Sequence, residues 1–291
     1  MKRVLVVYKK SAYQLHVVER RDQRLRRLLR AGHPDAVDWL TAHRVHQRTL
    51  DTVVRSLRSL GMRETLVYRE RLRSTAGYDL VISVGGDGTV LQASHFMEDT
   101  RLLGVNSDPA RSEAVFCAAT ASNVHRVVRD ALEGRLPTLW LYRLAVALNG
   151  RRVGPLALND VLIAHEDPAT MSRYRLRLGA RQEDHKSSGL WVATAAGSSS
   201  AMAAAGGKRL PWRAKRFQYR PRELYQGRLT RCRLTGGLLL PPRRLELVWL
   251  MREGALFLDG PHLKCPLRFG DQVSVSLSLR HPFRVLGLHR D

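Results

Sequence analysis

The sequence predicts an N-terminal doubly wound, Rossmann-like α/β domain followed by a β-rich, sandwich-like domain. Short, continuously apolar runs alternate with helical stretches up to about residue 107. Beyond Leu139 the helical spacing gives way to apolar runs separated by turn residues. With 291 residues, 44% of them hydrophobic, the chain is long and apolar enough to build two cores.

Val4-Leu5-Val6-Val7-Tyr8 reads as a strand buried on both faces. A long helical zone follows, divided by Pro34, with its second segment running from about Asp35 to Leu60 and capped by Gly61. Thr65–Tyr68, Leu80–Val84 and Leu102–Val105 are three further strands, and alternation of this kind implies parallel crossovers. Past Asp108 one helix is predicted from an N-cap at Ser122 to Gly134. The second domain is then read as strands Leu139–Leu148, Val153–Ala164, Tyr174–Leu178, Leu190–Thr194, Leu234–Leu240, Leu245–Met251, Ala255–Leu258 and Val273–Leu279. Asn149-Gly150 forms a hairpin turn among them. The change of pattern divides the chain into residues 1–107 and 108–291.

Three segments carry chemistry. Gly85-Gly86-Asp87-Gly88-Thr89 stands directly between a buried strand and a helical stretch, Val90–Met97, where open α/β sheets bind ligands. Glycines there admit positive φ and let a phosphate approach, and the helix start offers free N–H groups. A carboxylate would repel that phosphate, so Asp87 makes better sense as a general base for an attacking hydroxyl or as a holder of Mg²⁺. The alternative is a plain Asp-Gly turn. Asn159 and Asp160 lie within an otherwise apolar run, which points either to a bound polar ligand or to a turn whose side chains bond their own backbone. Ser188 to Gly207 reads as a strand entering a Gly-Ser turn and then an Ala-rich helix stopped by Gly206-Gly207, with room for a flat ring against the backbone.

In this order the three segments resemble the NAD kinase family, over most of the chain from about Leu80 onward. Leu103-Gly104-Val105-Asn106, Leu258-Asp259-Gly260 and His281-Pro282-Phe283 add to the match. Gly104–Pro109 and Cys117–Thr120 look most like the mitochondrial and peroxisomal branch. The resemblance implies transfer of the γ-phosphoryl group of Mg-ATP to the 2′-hydroxyl of the adenosine ribose of NAD, in a homodimer or homotetramer whose tail, about 265–291, returns to the first domain. It makes Asp87 the catalytic base and puts Gly85, Gly86, Gly88 and Thr89 in the phosphate-binding loop. Asn159 and Asp160 match the dinucleotide-holding Asn-Glu pair. Lys186, Ser188, Thr194, Ala196, Gly197, Ser198 and Ser199 fall in the segment around NAD. Asp160 is one methylene shorter than the usual Glu, Ser188 replaces an Asp, and Ala201 and Ala204 stand where Tyr and Ser are common.

The loudest feature is charge: 49 Lys and Arg against 26 Asp and Glu leave +23. Such a field favours polyanions, but only seven of the cations are Lys and no recognition motif accompanies them, so a specific nucleic-acid partner is not expected. A lipid kinase sharing the Gly-Gly-Asp-Gly loop is the nearer rival; Asn159-Asp160 and Gly197–Gly207 speak against it. There is no P-loop, GxGxxG, GxSxG or HExxH. His43 and His46 read as ordinary surface residues, and no protein metal site is assigned apart from Mg²⁺ carried by ATP near Asp87. Cys117, Cys232 and Cys265 are odd in number and widely spaced, so thiols in a reducing compartment, a cytoplasmic location and no membrane span are expected.

Overall fold

Strands that are apolar throughout must be covered on both faces. The computed structural model, which describes residues 3–228 and 231–288, covers them in two units: residues 3–139 with 284–288, and residues 140–283. The first unit runs β1 (Arg3–Tyr8), α1 (Gln23–Arg30), α2 (Pro34–Ser59), β2 (Arg63–Tyr68), β3 (Leu80–Gly85), α3 (Asp87–Ser94), β4 (Arg101–Asn106), β5 (Ala119–Thr120) and α4 (Val124–Leu132). Its strands lie in the order β2-β1-β3-β4, all parallel, and every residue of β3 is buried.

Helix α2 begins at Pro34, whose fixed φ suits a first turn, and ends in a Schellman motif. Gly61 takes φ +70°, its N–H donating to Arg58 O at 3.0 Å while Met62 N–H donates to Leu57 O at 3.0 Å. The fourth helix starts at Val124, not at a Ser122 cap; Asn123 precedes it and accepts the Thr120 N–H instead. The first unit extends past residue 107, where the sequence pattern changes, because Val124, Val127, Val128 and Ala131 of α4 share one core with Val53 and Leu57 of α2.

The second unit contains most of β6 (Thr138–Leu148), then β7 (Arg151–Arg152), β8 (Asp160–Ala164), β9 (Ser172–Leu178), β10 (Arg181–Ser187), β11 (Leu190–Ala193) and a one-turn helix α5 (Ala201–Ala204). It continues with β12 (Phe217–Pro221), β13 (Gly237–Leu239), β14 (Arg244–Trp249), β15 (Gly254–Leu258), β16 (Leu263–Leu267) and β17 (Gln272–Leu286) as far as Phe283. One antiparallel sheet is ordered β13-β12-β11-β8-β15-β16, and another run is β10-β9-β14-β17. Val161, Val192 and Phe217 from the first pack in one core with Tyr174, Leu247 and Trp249 from the second, as in a sandwich. Asn149 and Gly150, at φ +51° and +77°, turn β6 into β7. The end of β17 pairs with β4 of the first unit through Arg284 and Val285.

Five strands escaped the sequence reading: the two-residue β5 and β7, and β10, β12 and β16. The clearest case is β10, Arg-Gln-Glu-Asp-His-Lys-Ser, whose inward residues Glu183, His185 and Ser187 are themselves polar, so no apolar alternation marks it. Among the described residues no helix is long and apolar enough to cross a membrane.

Candidate active site

The glycine loop follows β3, which lies between β1 and β4; with β2 on the far side of β1, this is the switch point of the sheet. Gly85 ends the strand, Gly86 is extended at φ −111°, and α3 begins at Asp87, three residues earlier than expected. Positive φ is not the reason for the glycines: none of Gly85, Gly86 and Gly88 adopts it. Space is the reason at the first two. A Cβ on Gly85 would meet Thr89 Oγ1 at 2.2 Å and one on Gly86 would meet Ser112 Oγ at 2.9 Å. Gly88 is open, the nearest atom to its Cβ position being a guanidinium nitrogen of Arg69 at 3.6 Å. Thr89 is buried with its hydroxyl against Gly85, turned towards the strand.

Asp87 holds the returning chain. Its Oδ1 accepts the Phe116 N–H at 2.9 Å and its Oδ2 the Val115 N–H at 3.0 Å. That segment lies tight on β4, where a Cβ on Gly104 would come within 2.4 Å of Phe116 O. Asn106 secures the start of the same loop, donating to Ser112 O and accepting the Asp108 N–H, while Arg111 pairs with both Asp108 and Asp38. The two amides orient the Asp87 carboxylate at the start of α3, where the helix N–H groups also point. Burial, with the charge of Asp87, pushes the Cys117 thiol up to about 12, which leaves it neutral.

Arg69 stands beside Gly88 with its Nε buried and without a hydrogen-bond partner among the described residues. Nothing in the sequence distinguishes it from the other arginines. His46 is not a surface residue, and His43 is half-buried. His46 is 1% exposed, bonds Lys9 O through Nε2 at 2.7 Å, and burial lowers it to about 4. His43 bonds Ser11 Oγ and stacks on Tyr13.

In the second unit Leu158 and Asn159 form a bend, and β8 starts only at Asp160. Asp259, in the left-handed region at φ +51°, takes the N–H groups of Leu158, Asn159 and Asp160 at 2.7, 2.6 and 3.1 Å. Thr194 closes the other side: its N–H donates to Asn159 O at 2.9 Å and its hydroxyl to Leu158 O at 2.6 Å. Gly197 packs so closely that a Cβ would lie 2.2 Å from Asn159 O. With its backbone satisfied, Asn159 still has a buried side-chain Oδ1 lacking a partner among the described residues. Burial first, and repulsion from Asp259 second, raise Asp160 to about 7, against the hydrogen bond from Ser200.

Ser198 is buried and spends its hydroxyl on Ala195 O and the Leu210 N–H, whereas Ser199 is exposed. Ala196 is buried at the head of a 3₁₀ turn, and the expected Ala-rich helix shrinks to α5. Lys186, on β10, lies 5.3 Å from the Tyr225 ring centre, and the Ser188 N–H donates to Arg222 O. The sequence reading singled out Asp259 without a role; its part as the anchor of the Asn159 bend is visible only in three dimensions.

The chain is 36% identical over 272 residues to a probable NADH kinase of Oryza sativa, covering 85% of this chain and 84% of that protein. The chain belongs to the NAD kinase family. An NADH kinase of Arabidopsis thaliana matches at 35% identity over 68% of this chain and 69% of its own, and the human mitochondrial NAD kinase 2 at 27% over 64% and 44%. The fold agrees with the crystal structure of an NAD kinase from Archaeoglobus fulgidus in complex with ATP, at a TM-score of 0.67 and 19% identity, over 97% of this chain and 92% of that one. No protein-family model matches. In this NAD kinase family member the singled-out residues divide between the units. Gly85 to Thr89 lie in the first; Asn159, Asp160, Lys186, Ser188, Thr194 and Ala196 to Ser199 lie in the second.

Proposed function

We propose that this protein is an ATP-dependent NAD kinase that phosphorylates the 2′-hydroxyl of the adenosine ribose of NAD. One observation supports the chemistry above the others: a family member carries, at a helix start after the switch-point strand, a carboxylate oriented by two backbone amides. Asp87 accepts the proton of the 2′-hydroxyl as that oxygen attacks the γ-phosphorus; the phosphorus–oxygen bond to ADP breaks as the new one forms. The α3 N–H groups and Arg69 face the phosphates, and the bare Cα of Gly88 leaves them room. Asn159 and Asp160 hold the dinucleotide, Asn159 with the amide oxygen that lacks a partner among the described residues. Asp87 is the loop carboxylate that would face the water shell of Mg²⁺ arriving with ATP, an ion that would neutralise charge on the phosphates.

Purified protein should form NADP from NAD and Mg-ATP, and Asp87→Asn should lower kcat by roughly 10²–10⁴. A folded Asp87→Asn protein with near-normal turnover would overturn the role. The rice and Arabidopsis relatives are named NADH kinases, so NADH belongs in the same assay. Three free thiols fit a reducing compartment such as the cytoplasm. A homodimer or homotetramer is carried over from the family, and light scattering after gel filtration measures it.

A further inference from the structure

Within the second unit, Glu183 and His185 sit two residues apart on β10, so their side chains leave the same face of the strand. The segment around Cys232 crosses that face. Arg233 and Leu234 donate their N–H groups to Glu183 Oε2 at 2.8 and 2.9 Å, while Gln226 bonds the Cys232 N–H and carbonyl at 3.0 and 3.2 Å. One ligand atom from each of Glu183, His185 and Cys232 then falls within 4.8 Å of the other two.

From this juxtaposition we infer a zinc site formed by a carboxylate oxygen of Glu183, a ring nitrogen of His185 and Sγ of Cys232, with the fourth position open to water. It is independent of the kinase reading. The donor set is one oxygen, one nitrogen and one sulfur, which suits Zn²⁺ and not the all-oxygen shells of Mg²⁺ and Ca²⁺. His185 Nε2 and Glu183 Oε2 are 3.4 Å apart. That is long for an N–H···O bond and close to the edge of a tetrahedron with zinc bonds of about 2.1 Å, roughly 3.4 Å.

The histidine side chain is fully buried, and among the described residues neither ring nitrogen makes a short hydrogen bond: Nε2 has the 3.4 Å contact to Glu183 and Nδ1 has none. Cys232 Sγ is 3.8 Å from the Asp184 carbonyl, a weak contact for a thiol held by four hydrogen bonds around its backbone. Binding forms the zinc–sulfur bond and releases the thiol proton to solvent, with no change of oxidation state. The site would clamp the Cys232 segment onto the strand that also bears Lys186.

The test uses the full chain freed of metal and loaded with Zn²⁺ or Co²⁺. Elemental analysis should find one zinc per chain after gel filtration, and the cobalt form should show a thiolate-to-cobalt charge-transfer band. Cys232→Ser should abolish the band and weaken zinc binding by about 100-fold or more, whereas Cys265→Ser should change neither. Zinc should also protect the Cys232 thiol of the unaltered protein from alkylation, a readout that needs no variant. Absence of the band in the unaltered protein, or its persistence in Cys232→Ser, overturns the site.

Discussion

Asp259 Oδ1 accepts the Asn159 N–H at 2.6 Å, across 100 positions of sequence. The same carboxylate receives the N–H groups of the residues on either side of Asn159, so one side chain shapes the bend that presents the amide. Asp259→Ala removes a charged acceptor from three amides and puts Ala at φ +51°. We expect a loss of about 2–4 kcal/mol in urea unfolding, with a raised KM for the dinucleotide. Asp259→Asn keeps one acceptor oxygen and tolerates that backbone, so it should lose clearly less.

Asp160 makes stability depend on pH. Burial raises its folded value to about 7, above the ordinary carboxylate value near 4. Between those values the folded state keeps a proton that the unfolded chain has released. Stability is therefore greatest below about pH 4 and falls as pH rises through 7, by up to about 1.4 kcal/mol per pH unit from this group. Asp160→Asn should flatten that part of a pH series of unfolding midpoints, and an unchanged slope would contradict the assignment.

Two glycines separate fold from function. Gly197→Ala drives a Cβ to 2.2 Å from Asn159 O, backbone against backbone, and should cost about 3 kcal/mol or more. Gly88→Ala meets nothing closer than 3.6 Å in the first turn of a helix and should leave the melting temperature unchanged or slightly higher. If Gly88 is bare to admit a phosphate, the same substitution raises KM for ATP. Normal ATP kinetics in Gly88→Ala would remove the loop from the phosphate site.

Arg69 is expected to bind phosphate. Arg69→Gln keeps much of the packing and removes the charge, so KM for ATP should rise at least tenfold, with a weaker dependence of KM on salt than in the unaltered protein. A change in stability alone, without the change in KM, would make Arg69 structural.

Legibility followed the local signals. The strand Leu80–Gly85 and its loop were visible because an apolar run, glycines and a helix start are neighbours in the chain. The Gly61 cap was visible for the same reason. Strand β10 was not, because its inward residues are polar and its partner β9 supplies the pairing. His46 read as surface because its cover, Lys9 and the end of β1, comes from 37 positions away.

The two-part architecture, the NAD kinase resemblance and Asp87 as the odd carboxylate in a glycine loop are all legible along the chain, since periodicity and motif spacing are properties of adjacent residues. Why Gly85 and Gly86 are glycine, which arginine stands at the loop, what shapes the Asn159 bend and where Glu183, His185 and Cys232 meet emerge once the chain is folded. Each of these is a contact between distant segments, settled by steric exclusion and by the need to satisfy buried polar groups.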